Sequence, residues 1–386
     1  MRILWVATKA PHPPVDGGRL LLGRSLEALA EAGHEVRLVA PVDPLRSDPR
    51  TTAGALAAVC SPRLVEARPR PAWRALLGSS RRPVTIARHS SEAVRRAVAE
   101  ELAVGSFAAV IAEQLQALPQ CSAAAASGVP LVLRAQNVES DIWRAAAGSW
   151  PAAALFRGEA ARLARWEGEA VRRAALVLAL TGGDAERLRE LGGPASRVET
   201  LSAPFPAELP SGAPLAGDPP VVLFGSGDWR PNRAGAAWFL ASAWPGVERA
   251  VPGAVLHVFG FPCRAAPRVL PHPAPADSAA AFPPGAVLVV PLRVASGLRM
   301  KALEAWARGV PVIARPEAAA DLPREAARRA GDVAGFATGV ASLRLPGPRA
   351  AAVEAGRRRL RDHHDPGRFA ERLTALLADL PRTPPA

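Results

Sequence analysis

"ILWVATKAPHPPVDGGRLLLGRSLEALAEAGHEVRLVAPV" (residues 3–42) decides the fold. ILWVAT is a continuous apolar run of the kind a parallel sheet buries on both faces. KAPHPPVDGG is a Pro/Gly loop. GRLLLGRSLEALAEAGH repeats apolar residues at helical spacing and stops on Gly33. EVRLVAPV is the next strand. Strand, helix and strand in this order form a crossover unit, and such units build a doubly wound α/β sheet.

The alternation continues outward from this unit. Strands are expected at 84–87 (VTIA), 107–114, 130–137 and 175–181, with helices between them. The stretch "APFPAELPSGAPLAGDPP" (203–220) is rich in Pro, Gly and Ala and reads as an interdomain linker. A second α/β series follows, with strands at 221–227, 254–260, 286–292 and 311–316. Helices are expected at about 233–248, 297–308, 348–362 and 366–380. The boundaries are a first domain over 1–204, a linker over 205–220, a second domain over 221–364 and a terminal helical segment over 365–386. Two Rossmann-like halves leave a cleft as the default ligand site.

Composition narrows the function. The formal charge is +13, carried by 46 arginines and two lysines. A GC-rich coding bias, visible in the alanine content, accounts for such an excess. So does selection for phosphate-bearing ligands or an anionic membrane surface. Aromatic residues are 5% of the chain with no tyrosine, and no nucleic-acid recognition motif is present, so a nucleic-acid partner is not expected. Cys60, Cys121 and Cys263 have neither disulfide-framework count nor metal-ligand spacing, which fits a reducing compartment. No apolar run reaches the ~20 residues of a membrane span. A cytoplasmic location is expected, with peripheral membrane contact left open.

One of the two lysines lies in "VPLRVASGLRMKALEAWARGVPVIARP" (290–316). The run is a buried strand, a turn at its carboxyl end, and a helix stopped by Gly309. Ligands of open parallel sheets bind at such strand ends. A helix N-terminus there offers free N–H groups to an anion. Ser296 and Gly297 sit at that terminus, and Arg299 and Lys301 place two cations in the first turn, against the helix dipole. That placement is reasonable where an anion sits between them. Glu304 lies one turn on, where a carboxylate can accept hydrogen bonds from vicinal ribose hydroxyls. These residues together read as a nucleoside diphosphate site. An ordinary surface turn, with Lys301 paired to Glu304 or Glu317, is the plainer reading of the same spacing.

"PLRVASGLRMKALEAWARGVPVI" resembles the donor-site signature of GT-B glycosyltransferases of family four. It is nearest the bacterial branch whose motif runs PL-x-x-G-S-G-x-R-x-K-x-L-E-A-x-A-x-G-x-P-V-V. "LFGSGDWRPN" (223–232) resembles that branch's G-S-M-x-W-x-P-N segment, and "RAQNVESDIWR" (134–144) its H-N-V-E-S segment. "AEQLQ" (112–116) resembles a neighbouring segment, and "DGG" (16–18) the first glycine turn. The resemblance implies two Rossmann-like domains, a nucleoside diphosphate sugar as co-substrate, no further cofactor and no bound metal. No Asp-x-Asp motif is present to carry one. It implies a ribose-binding role for Glu304 and diphosphate contacts for Arg299, Lys301, Gly225, Ser226 and Asn232. Gly17, Gly18, Gly297 and Leu298 complete the implied donor site. Ser296 stands where many members carry the first glutamate of an E-x7-E pair, and this branch often lacks that carboxylate. Gln136, Asn137 and Glu139 match the catalytic segment, with Gln136 in the place of the usual histidine. Gln gives and accepts hydrogen bonds but takes no proton. In the retaining scheme implied, the leaving diphosphate takes the acceptor's proton, so either a hydrogen-bonding Gln136 substitutes for the histidine or its presence marks lost or altered activity.

Gly17–Gly18 is either a phosphate-facing turn or a plain loop, with Asp16 as a helix N-cap. Glu113 and Glu139 either face the cleft or are ordinary helix-terminal carboxylates. Residues 62–97 carry nine arginines with Trp73, Leu76 and Leu77. They form either a membrane-facing basic segment for a lipid-linked acceptor or a solvated face. The acceptor hydroxyl belongs to a lipid-linked or small molecule. A nucleotide-sugar epimerase, a phosphorylase, and a non-catalytic nucleotide-sugar binder or partner subunit are the competing functions.

Overall fold

The computed structural model describes residues 1–78, 82–147, 153–227, 230–275, 277–293 and 297–381. They form two units. The first is Met1–Pro204 with Ser296–Leu298 and Pro366–Ala386. The second is Phe205–Ala295 with Arg299–Asp365. Residues 205–220, read as a linker, are grouped with the second unit. The fold is α/β, with one doubly wound parallel sheet in each unit.

The first unit holds a parallel sheet of seven strands: β1 Arg2–Val6, β2 Glu35–Val42, β3 Ser61–Glu66, β4 Ala109–Glu113, β5 Leu131–Ala135, β6 Leu176–Ala179 and β7 Val198–Thr200. Their order is β3-β2-β1-β4-β5-β6-β7. The chain switches direction across the sheet at β1, which pairs with both β2 and β4. The second unit holds six parallel strands: β8 Pro220–Phe224, β9 Val255–Phe259, β10 Val269–His272, β11 Val287–Val290, β12 Val312–Ala314 and β13 Ala327–Arg329. Their order is β10-β9-β8-β11-β12-β13, with the switch at β8. In such sheets the crevice beyond the carboxyl ends at the switch point takes the ligand.

Each sheet is buried by its helices. Ile3, Trp5, Leu26 and Leu29 share the first core with Phe369, Leu373 and Leu377 of the terminal helix Pro366–Ala378. That helix is also tied to the first unit by polar contacts. Thr374 Oγ1 meets His34 Nε2 at 2.9 Å, and Arg372 pairs with Glu199 at 3.2 Å. In the second unit Val221, Phe239, Trp244 and Phe336 pack between sheet and helices. Among the described residues no helix is long and apolar enough to cross a membrane.

Three expectations change. Residues 84–87 are not a strand; they begin the helix Val84–His89. Pro83, at φ −57°, sets the helix entry, and the Val84 N–H donates to the Glu159 carboxylate. The helix expected from 297 begins at Met300, with Arg299 as its N-cap. Gly297 has φ +80°, which no right-handed helix contains. Finally, β3, β7, β10 and β13 were not expected at all.

Candidate functional site

In the second unit the site grows from the end of β8. The chain leaves Phe224 through Gly225 and Ser226 and enters the helix Arg230–Trp238. Asn232, in that helix's first turn, is buried and donates its Nδ2–H to Ser226 O at 3.1 Å. Lys301 reaches in from the helix Met300–Ala307. Its ammonium donates to Phe224 O at 2.9 Å and to Asn232 Oδ1 at 3.4 Å. A Cβ on Gly225 would stand 3.0 Å from Lys301 Nζ and 3.2 Å from Asn232 Nδ2. Glycine is what lets the turn lie against both side chains.

The electrostatics favour an anion here. Desolvation, helped by the Arg299 charge, pushes the Lys301 ammonium down to about 7, and Glu304 acts in the opposite direction. Among the described residues no side chain caps the N-terminus of the Lys301 helix. Its first N–H groups are therefore open to a ligand. Arg299, Lys301 and that helix end make a cationic corner beside Gly225.

Glu304 is buried one turn further along. Ser278 Oγ donates to its Oε1, and the Arg308 guanidinium lies 3.6 Å from the same oxygen. Arg308 is itself fixed, with Nε–H donating to Pro210 O at 3.1 Å and the guanidinium 5.6 Å above the Phe282 ring. The carboxylate is thus held along one edge by protein donors. Ser278 and Arg308 were not foreseen as site residues. Arg308 had a legible signal, standing four residues after Glu304 on one helix face; Ser278 had none.

In the first unit the site sits at the ends of β1, β4 and β5. Asp16 caps the helix Gly17–Glu31, accepting from the Arg19 N–H at 3.0 Å, and pairs with Lys9 at 2.7 Å. Burial pushes the Asp16 carboxyl up, but Lys9 and the Arg19 N–H outweigh it and hold it below the usual range. Gln136, buried at the end of β5, donates Nε2–H to Glu113 Oε1 at 2.7 Å. It accepts from Gln114 Nε2 at 2.6 Å. Glu113 Oε2 accepts from Trp5 Nε1 at 2.8 Å and lies 3.4 Å from Arg134. Arg134 is fully buried, stacked between Trp5 and Phe369.

The predicted residues thus fall into groups. Gly225, Ser226, Asn232 and Lys301 come together, with Arg299 and Glu304 on the same helix start. Gly18 meets Gln136: a Cβ there would lie 2.8 Å from Gln136 Oε1. Gly17 is exposed at the helix start, and Asn137 is half-buried just past Gln136. Glu139 opens the helix Glu139–Ala147, and its N–H donates to Glu167 Oε1 at 2.6 Å. Burial raises the Glu139 carboxyl, opposed by a Gln116 hydrogen bond. Burial also lifts Glu167, to about 7, against the Ser140 hydrogen bonds. Gly297 and Leu298 are grouped with the first unit, and Ser296 lies outside the described residues. Trp5, Thr8, Gln114 and Arg134 were missed as site residues. Gln114 lies in the AEQLQ segment and Arg134 opens the RAQNVES segment, both already singled out by resemblance, whereas Trp5 and Thr8 had only their place in or just past β1.

Comparison with known proteins adds the family. Residues 17–204 match the family described as "Glycosyl transferase 4-like domain" and residues 219–345 that described as "Glycosyl transferases group 1". No curated protein matches by sequence. Among solved structures, the chain is similar to sucrose-phosphate synthase from Thermosynechococcus elongatus, with TM-score 0.69, 17% identity and 98% of each chain covered. It is also similar to the Anabaena protein HepE in complex with UDP-glucose. There the TM-score is 0.66 and the identity 14%, over 98% of this chain and 100% of that one. A spinosyn forosaminyltransferase matches with TM-score 0.54 and 16% identity, over 98% of this chain and all of the other. At these identities the structural likeness speaks for the fold.

Proposed function

Because the chain belongs to the glycosyltransferases of the GT-B fold, we propose that it moves a sugar from a nucleoside diphosphate sugar to an acceptor hydroxyl. The transfer proceeds with retention and without a bound metal, in the manner of family four. One observation carries the donor assignment. Lys301, Asn232 and the Gly225–Ser226 turn converge on a cationic corner at a sheet switch point, with the buried Glu304 one turn away.

The roles follow from the chemistry. Arg299, Lys301 and the uncapped helix N-terminus hold the diphosphate and stabilise the negative charge that grows on it as the C1–O bond breaks. Glu304 accepts hydrogen bonds from the ribose hydroxyls. The acceptor oxygen bonds to C1 on the face the diphosphate leaves, and its proton passes to the leaving phosphate oxygen. Gln136 and Asn137 hydrogen-bond the sugar or the acceptor, with Glu139 beside them. HepE in complex with UDP-glucose, and with UDP, supports a nucleotide-sugar donor.

We also propose that residues 62–97 contact an anionic membrane surface at the cytoplasmic face. Its support is Trp73, 58% exposed, with the Arg74 guanidinium 5.0 Å above the ring. Co-sedimentation with anionic but not zwitterionic vesicles, lost in Trp73→Ala, is the expected result.

The deciding experiment is calorimetry with a panel of nucleotide sugars, followed by assay of nucleoside diphosphate release with and without acceptors. Donor binding and acceptor-dependent release support the proposal, and NMR of the product anomer tests retention. Donor binding without release across a broad acceptor panel favours a non-catalytic binding subunit instead.

A further inference from the structure

The polar line at the ends of β1, β4 and β5 contains a residue the transfer chemistry above does not use. Gln114 sits at φ 72°, ψ 156°. Glycine occupies that region freely, and other residues rarely do. A glycine would follow the same backbone without strain. What keeps a glutamine there is its side chain.

That side chain is bonded at both ends. Thr8 Oγ–H donates to Gln114 Oε1 at 3.0 Å, and Gln114 Nε2–H donates to Gln136 Oε1 at 2.6 Å. Gln136 passes its own Nε2–H to Glu113 Oε1 at 2.7 Å. Trp5 and Arg134 present donors to the other Glu113 oxygen at 2.8 and 3.4 Å. Every bond runs toward the carboxylate. A carboxylate only accepts, so Gln136 must turn its NH2 group to Glu113 and its oxygen away. Reversing the carboxamide would set oxygen against oxygen at Glu113 and NH2 against NH2 at Gln114. The Gln136 oxygen is also the atom a Cβ on Gly18 would meet first, at 2.8 Å. The absent side chain at Gly18 leaves that oxygen facing the glycine turn.

We propose that Gln114 is a positioning residue: with Glu113 it locks the Gln136 carboxamide so that its oxygen faces the glycine turn and accepts a hydrogen bond from a substrate hydroxyl. This deepens, and rests on, the transferase reading. The ligand group at this point is a hydroxyl donor. An anion has no proton to give the Gln136 oxygen and would stand near the Glu113 carboxylate.

Two variants test it. Gln114→Gly keeps the backbone and deletes the side chain. Gln114→Glu keeps the shape but donates to Gln136 only when protonated. Two readouts are used: the Gln136 carboxamide signal in NMR, and kcat and KM for nucleoside diphosphate release with acceptor. Gln114→Gly should shift the Gln136 signal and abolish its exchange protection. Its kcat should fall about 10-fold, the loss of one good hydrogen bond, with the donor KM within about twofold of wild type. Gln114→Glu should be as impaired at pH 8 and recover toward wild type only as pH falls into the ordinary carboxyl range, about 4 to 5, measured as the variant-to-wild-type ratio at each pH. A role limited to folding predicts no such acid rescue. An unchanged Gln136 signal in both variants overturns the proposal, as does wild-type kcat in both across this pH range. A melting temperature of Gln114→Gly well below wild type overturns the strain argument on which it stands. Failure of the transferase reading looks different: the wild-type protein releases no nucleoside diphosphate with any acceptor. The NMR comparison then still decides whether Gln114 holds Gln136.

Discussion

The two candidate corners solve the problem of buried charge in opposite ways. In the second unit the half-buried Lys301 ammonium has a carbonyl and an amide oxygen as its direct partners. Glu304 offsets its charge only in part, through space, and an anionic ligand supplies the rest. In the first unit the buried charge is Glu113, already surrounded by Trp5, Gln136 and Arg134. The protein supplies every donor there and leaves a neutral carboxamide oxygen for the substrate. The first arrangement couples binding to protons and ions; the second is a scaffold whose worth is orientation. Substitutions should therefore move stability in one corner and ligand affinity in the other.

The largest expected effect is on stability and lies in the first unit. Arg134→Met removes the cation paired with Glu113 and leaves that carboxylate buried among neutral donors. Breaking a buried ion pair from one side costs about 3–5 kcal/mol. Denaturant unfolding should show a loss of that order. The double variant Arg134→Met/Glu113→Gln should recover most of it, because no charge is then stranded. A loss that the second substitution does not reduce would mean that Arg134 acts through packing on Trp5 and Phe369 alone.

The next effect is on affinity and lies in the second unit. Glu304→Ala deletes the acceptor proposed for the ribose and leaves Ser278 and Arg308 without that oxygen. Hydrogen bonds to a charged group contribute about 1.5–3 kcal/mol. Calorimetry should show nucleotide-sugar affinity reduced by roughly 10- to 150-fold. Unchanged affinity removes the ribose assignment.

What could be read in advance follows the same division. Gly225, Asn232, Lys301 and Glu304 lie in two short runs whose spacing already describes a phosphate-binding turn and helix. Their neighbours in space are neighbours in the motif. The first corner joins Trp5 to Glu113 across 108 positions, and its partners are met only once β1, β4 and β5 are in register. The sheets show the same limit. Each central strand is a run of apolar residues, legible because both faces are buried. The four strands missed, β3, β7, β10 and β13, are the four sheet edges. Sequences such as SPRLVE, VET and ARR carry polar residues because an edge has one neighbour and more solvent. The misplaced helix start before Met300 has a local cause. Gly297 was read as part of the terminus, whereas its positive φ keeps the helix from starting there.

A third prediction uses protons to separate the corners. Lys301 titrates at about 7 without ligand, chiefly through desolvation. A bound diphosphate favours its charged form and raises that value. Below pH 7 the lysine already carries its proton and the anion binds without uptake. Above pH 7 binding must take up a proton, so affinity falls as pH rises, by up to about tenfold or ~1.4 kcal/mol per unit. Calorimetry at pH 8 in buffers of different ionisation enthalpy should report proton uptake approaching one, and at pH 6 far less. Lys301→Arg, always charged, should abolish the uptake. The same uptake in Lys301→Arg would assign the proton elsewhere.

The smallest expected effect is the most diagnostic of the first corner. Gln114 lies at φ 72°, ψ 156°, a region in which a non-glycine residue costs roughly 1–3 kcal/mol. Gln114→Gly removes that strain and also loses the bonds to Thr8 and Gln136, each contributing about 1 kcal/mol. Glycine adds its own entropic cost of about 0.5–1 kcal/mol. The terms largely offset one another, so unfolding free energy should lie between a loss of about 2 and a gain of about 0.5 kcal/mol. Turnover is not subject to that cancellation, because backbone strain relief does nothing to orient Gln136. A variant as stable as wild type but slower would show that the strained glutamine is kept for the carboxamide it holds. A variant that loses several kcal/mol would show instead that the line from Thr8 to Glu113 is a stability element like Arg134, and the contrast between the two corners would rest on charge alone.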